Sequence, residues 1–290
     1  MRSAGRDTEA GLRSAASSML GPRGAREVIS VFGRKQLLVE AGAVAFRVLL
    51  ALIPGALFVV GVLGLFGFEE VWSKDVAPDV KASVSPAAFK FFDEAIRKVL
   101  QSRDLFWVTF GAVLTLWEAS AVVRAVGNVM NRIYEVDERR SFRRELLESL
   151  PTGAAAGALV LAALASIRLG PIASEGALGD GGVADIVSPA ICWAVGAGFF
   201  FALVVVLIRF APAIERPARW LSLGAALIVV ASATMTLAFG LYLRYVASYE
   251  SVFGSLATAF VVIEYLFLLA VAFLGGVVVD AILDGRERHA

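Results

Sequence analysis

Long runs of apolar residues alternate along this chain with short polar connections, and the lengths of the runs carry the first prediction. A helix rising about 1.5 Å per residue needs roughly 20 mainly apolar residues to cross about 30 Å of hydrocarbon. Six segments meet that requirement: Leu37 to Phe68, Leu105 to Ile133, Leu146 to Leu169, Val187 to Phe210, Trp220 to Val246 and Gly254 to Leu283. The pattern predicts an all-α, polytopic membrane protein built as a six-transmembrane-helix bundle.

The connection from Glu69 to Asp104 is too polar to span. Within it, SPAAFKFFDEAIRKVL places Phe89, Phe92, Ile96 and Val99 at spacings of three and four, the apolar stripe of an amphipathic helix. Ser85 is a suitable N-cap and Pro86 a suitable first-turn residue, so a short external amphipathic helix is expected over the mouth of the bundle. Ahead of the first span, PRGAREVISVFGRK fits a basic helix lying along an anionic membrane surface. The glycine-rich stretch Gly176 to Gly182 reads as an exposed external loop. The expected organisation is therefore a cytoplasmic N-terminal segment over 1–36, a membrane domain over 37–283 and a cytoplasmic tail over 284–290.

Composition agrees: 58% of the residues are hydrophobic, against about 45–50% in a soluble domain. The net charge of +1 says little, but the placement of the charges says more. Seventeen lysines and arginines fall at one end of the predicted spans and eight at the other. Because basic loops are retained in the cytoplasm, both termini are assigned there. No cleaved signal is expected, since no apolar core of signal-peptide length precedes Gly21. The single cysteine, Cys192, can form neither an intrachain disulfide nor a multi-cysteine metal site and is read as a packing residue.

Chemistry is sought among polar residues inside the apolar runs, where a charge costs about 2.5–3.5 kcal/mol on insertion scales. Arg47, Glu118, Glu264 and Asp280 stand out. Arg47 and Glu118 are expected to pair, either at a substrate path or as a structural lock on helix register. Arg124, Asn128, Asn131 and Glu135 follow one another at spacings of four, three and four, one polar stripe on the second span. That stripe either faces the bundle interior or belongs to turns already in water. Tyr242, Tyr245 and Tyr249 form a similar stripe on the fifth span, read as an interfacial belt or as substrate contacts. Pro54 removes a donor from the first span and is the expected hinge.

Several of these segments together resemble one family. AGAVAFRVLLALIP from Ala41 to Pro54, AVGNVMNRIYEVDER from Ala125 to Arg139, the Pro212–Arg216 segment, LSLGAA from Leu221, the three tyrosines, Phe253-Gly254-Ser255-Leu256 and Leu274 to Gly276 occur in the order found in the YihY/BrkB family, the UPF0761 membrane proteins. The resemblance covers roughly Val28 to Leu283. It implies the six-span topology and a family whose members have been labelled virulence or serum-resistance factors, once a ribonuclease, and lately transporters of lipid or other envelope components. Departures are Arg47 and Glu264, where the family is usually uncharged, Phe253 in place of the usual tyrosine, and the absence of an acid directly after the final Leu-Gly-Ala, with Asp280 only nearby.

Function classes can then be ranked. A transporter of lipid or another envelope component is the leading expectation, with Arg47, Glu118, Arg124, Asn128, Asn131, Tyr242, Tyr245, Glu264 and Asp280 lining the path. The alternative is a non-catalytic structural or interaction protein of the envelope. No enzyme, cofactor or metal site is expected: the sole histidine is His289, and no Walker-type GxxxxGK[ST] loop is present. Membrane lipids are the expected partners, and nucleic acid is not.

Overall fold

The computed structural model describes residues 21–83, 86–136, 141–178, 184–213, 222–245 and 257–288. Among them no strand occurs. A short helix α1 (Pro22–Arg34) precedes α2 (Leu37–Leu65). A π-helical segment (Val71–Val76) and α3 (Ala77–Ser83) follow, then α4 (Pro86–Ser102), α5 (Leu105–Ile133), α6 (Phe142–Leu178), α7 (Ala184–Phe210), α8 (Leu223–Tyr245) and α9 (Ala257–Arg288). Six of these helices, α2 and α5 to α9, are long and apolar enough to cross a membrane. Leu52, Ile53, Val113, Leu164, Trp193 and Leu237 are exposed on them, which is costly in water and ordinary in lipid.

Backbone contacts set the register of the antiparallel pair α2 and α5. Gly55 lies against Thr115, Gly61 against Val108, and Gly111 against Phe58. At the proximal end, where α1 joins α2, Lys35 Nζ donates to the Arg132 and Ile133 carbonyls at 3.0 and 3.1 Å. A cation is thus placed on the last carbonyls of α5, where the helix dipole favours it. The main core also lies at this end. Leu37, Ala41, Met130, Val204, Ile228, Leu274 and Val277 pack into it, and so does Val31 of α1. At its other end α5 starts on Asp104, whose carboxylate accepts the Phe106 N–H at 2.9 Å as an N-cap.

Distally, α4 packs along the end of α2 through Leu100, Phe89 and Ile96, against Val60, Leu63 and Trp72. The Trp72 indole N–H donates to Asp93 at 2.8 Å, and Arg97 holds the same carboxylate at 2.8 Å. These hydrogen bonds, Arg97 first, keep the Asp93 carboxyl below its ordinary range. The expected stripe needs one correction: Phe92 is exposed, and Leu100 takes its place in the core. Asp93 turns inward to Trp72 and carries the helix rotation with it. Ser85 and residues 179–182 of the expected loop lie outside the described residues, while Gly176, Ala177 and Leu178 end α6. The third span is thus part of a longer helix than its apolar run suggested. Helix α2 continues through Pro54, which is buried.

Candidate functional site

A cavity of about 710 Å³ opens between α5, the first turns of α6 and the end of α7. Its polar wall is the stripe on α5, with Arg124, Asn128, Asn131, Arg132 and Glu135 all lining it. Glu145, Glu148 and Ser149 face them from α6, and Phe210, Ala211 and Ala213 close the side at the end of α7. The helices can meet here because small residues sit at the crossings. A Cβ on Gly153 would come within 2.8 Å of the Ser120 backbone nitrogen, and one on Gly127 would strike the Ala211 carbonyl oxygen.

Arg124 is the most deeply placed cation of the group, nine residues before the end of α5, or about 13 Å along the axis. Its guanidinium donates to Ser120 Oγ at 2.8 Å and to Ser149 Oγ at 3.1 Å. Both partners are neutral, and no carboxylate pairs with it among the described residues. The other charged lining groups are mostly engaged. Arg132 pairs with Glu40 of α2, Glu135 with Lys35 at 2.7 Å, and Glu148 with Arg144 at 2.8 Å. Asn131 Oδ1 accepts the Ala213 N–H at 2.8 Å, tying α5 to the end of α7.

The Lys35 ammonium, by its hydrogen bond and its charge, holds the Glu135 carboxyl below the usual range. A depressed carboxylate stabilises the fold above its unfolded pKa of about 4.3, and that contribution disappears as pH falls through the lower folded value. Glu135 is largely exposed, so screening keeps the effect small. On acidification through the carboxylate range, the melting temperature of Glu135→Gln should therefore fall slightly less than that of the wild type. Superimposable melting curves would mean that the pair contributes nothing.

The remaining predicted path residues lie elsewhere. Asp280 is buried between α8 and α9, and its Oδ1 accepts the Gly224 N–H at 2.7 Å; it caps the start of α8. Glu264 is exposed and lines a separate apolar groove of about 430 Å³ with Gly42, Ala45, Phe46 and Phe260. Tyr242 is exposed on α8, its ring 6.2 Å from that of Phe239. Tyr245 ends α8 with its side chain outside the description, and Tyr249 lies outside the described residues.

The expected pair of Arg47 with Glu118 does not form. Arg47 is exposed, and Glu118 keeps a buried Oε2 with no hydrogen-bond partner among the described residues. The α2–α5 register gives the reason: with Gly55 opposite Thr115, Arg47 is level with Val122 or Val123, about 7 Å along the axis from Glu118. The sequence reading did not include Glu145, Glu148 and Ser149 in the site. Glu148 and Ser149 lie three and four residues beyond Glu145 in FRRELLES, which marks the three as one face of α6.

A protein named ribonuclease-like, YfkH, from Bacillus subtilis (strain 168) is 24% identical over 256 residues, which is 86% of this chain and 90% of that protein. UPF0761 membrane proteins of Neisseria meningitidis serogroup B and serogroup C (strain 053442) are 26% identical over 265 residues, 91% of this chain. The chain spans 64% and 63% of their respective lengths. No solved structure matches it. The family model described as virulence factor BrkB matches residues 28–290, and this multi-pass membrane protein with six apolar helices therefore belongs to the BrkB family.

Proposed function

We propose that this protein is a carrier that receives the polar part of an amphiphilic envelope component in the α5–α6–α7 cavity and passes it across the membrane. One observation carries the reading: a half-buried arginine, held by neutral serines, sits deep in a polar cavity within a bundle whose outer faces suit lipid. A guanidinium in that setting is costly unless a polar or anionic group is there to meet it. Catalysis is not part of the proposal. Glu135 and Glu148 are each ion-paired, which makes them poor partners for Glu145 in an acid–base pair for phosphodiester cleavage.

Asn128 is exposed on the cavity wall, so Asn128→Trp should fill the space without disturbing the core. In proteoliposomes carrying fluorescent phospholipid, the wild-type protein should accelerate lipid exchange between leaflets. Asn128→Trp should reduce that rate by about tenfold at an unchanged melting temperature. Equal rates for the two proteins would remove the carrier reading and favour a structural or interaction role in the envelope.

The same proposal places both ends of the chain in the cytoplasm of a bacterial inner membrane, on the asymmetry of basic residues. Helix α1, with Val31 buried and Arg26, Ile29 and Arg34 exposed, then lies along the inner surface. A reporter fused after the C-terminus should be active only in the cytoplasm, and one inserted at Asp93 only outside. The opposite pattern would invert the topology.

A further inference from the structure

The cavity contains two charged groups of opposite sign that have no ion pair among the described residues, and their placement narrows the ligand. This inference rests on the carrier reading above. Among the charged residues lining the cavity, Arg132, Glu135 and Glu148 are neutralised by Glu40, Lys35 and Arg144. Arg124 and Glu145 have no ion pair among the described residues. Arg124 meets only Ser120 and Ser149, and Glu145 lines the same wall as Ser149. Glu145 precedes Ser149 by four residues, so it stands one turn, about 6 Å along α6, nearer the proximal end than the arginine's contact. Asn128, level with Glu145 across the cavity by the contact of Gly153 with Ser120, adds further hydrogen-bonding groups.

We infer that the cavity recognises a zwitterionic headgroup in which a phosphate meets Arg124 and a primary ammonium, two carbons away, meets Glu145. Phosphate suits a guanidinium whose other N–H donors make no hydrogen bond among the described residues. An ammonium bearing hydrogens suits a carboxylate, and a trimethylated one cannot donate to it. A purely anionic headgroup would satisfy the arginine and leave Glu145 unpaired, and a purely cationic one would do the reverse. The charge pattern therefore favours phosphoethanolamine over both. The same chemistry occurs in a membrane lipid and in a soluble phosphate ester.

The test uses the full-length protein in detergent and native mass spectrometry. The protein is mixed with equal amounts of phosphatidylethanolamine, phosphatidylglycerol and phosphatidylcholine bearing identical acyl chains. The wild type is expected to retain phosphatidylethanolamine preferentially. Arg124→Gln should lower retention of phosphatidylethanolamine and phosphatidylglycerol alike, by about tenfold, while Arg124→Lys keeps part of it and controls for folding. Glu145→Gln should remove the preference for phosphatidylethanolamine over phosphatidylglycerol and leave phosphatidylglycerol bound. A ratio unchanged in Glu145→Gln, or retention unchanged in Arg124→Gln, overturns the inference. If Asn128→Trp still abolishes lipid retention in that case, the carrier reading survives by itself. If the wild type retains no lipid, both readings fall. Soluble glycerophosphoethanolamine is the final arm: displacing the lipid at equal concentration would uphold the headgroup chemistry and assign it to a soluble ester, and failure to displace it assigns the site to a lipid.

Discussion

Gly276→Val should destabilise this protein more than any other single substitution named here. Helices α8 and α9 touch backbone to backbone at Gly224 and Gly276. A Cβ on Gly276 would lie 2.6 Å from the Gly224 carbonyl oxygen and would collide with the Ile228 side chain. Gly224 is equally enclosed, by the Gly276 carbonyl and the Asp280 carboxyl. A valine must therefore push the helices apart, which also separates Asp280 from the Gly224 N–H that it caps at 2.7 Å. Overpacking costs about 1–3 kcal/mol and sometimes more, and losing a cap adds about 1 kcal/mol. A total on the order of 3–4 kcal/mol is expected, read as a large drop in the melting temperature in detergent. Gly275, where an added Cβ meets nothing within 4 Å, is the internal control, and Gly275→Val should melt near the wild type. A Gly276→Val protein as stable as the Gly275→Val protein would refute the close crossing.

The second large effect has the opposite sign. Glu118 places a buried carboxyl oxygen within a spanning helix, with no hydrogen-bond partner among the described residues. An unsatisfied buried polar group costs about 1–3 kcal/mol, and methionine fills a similar volume without that cost. Glu118→Met is expected to stabilise by about 1–2 kcal/mol. Arg47→Ala should not destabilise, because the exposed Arg47 has no ion pair among the described residues to lose, and the double variant should equal the sum of the singles. Thermal unfolding of all four proteins settles the point. A coupling near 1 kcal/mol or above would restore the pair that the α2–α5 register separates.

Six spans, and the stripe of Arg124, Asn128 and Asn131 on one face of α5, were legible in the chain itself. Span length follows from hydrocarbon thickness, and residues on one helix have a fixed angular relation at about 100° per position. The amphipathic character of α1 and α4 was legible for the same reason. The exact buried face of α4 was not, because the partnership of Asp93 with Trp72 is a contact between elements.

Only the tertiary structure decided which polar group meets which. A single helix's periodicity leaves its rotation and its slide along a neighbour unspecified, and a slide of five residues is enough to separate Arg47 from Glu118. The glycine contacts of α2 with α5, α5 with α7 and α8 with α9 fix those slides. They bring Ser149 to Arg124 and assign Asp280 to a helix cap instead of a path. The face of α5 was therefore written in the sequence, while the cavity it lines exists only because backbones meet where side chains are absent.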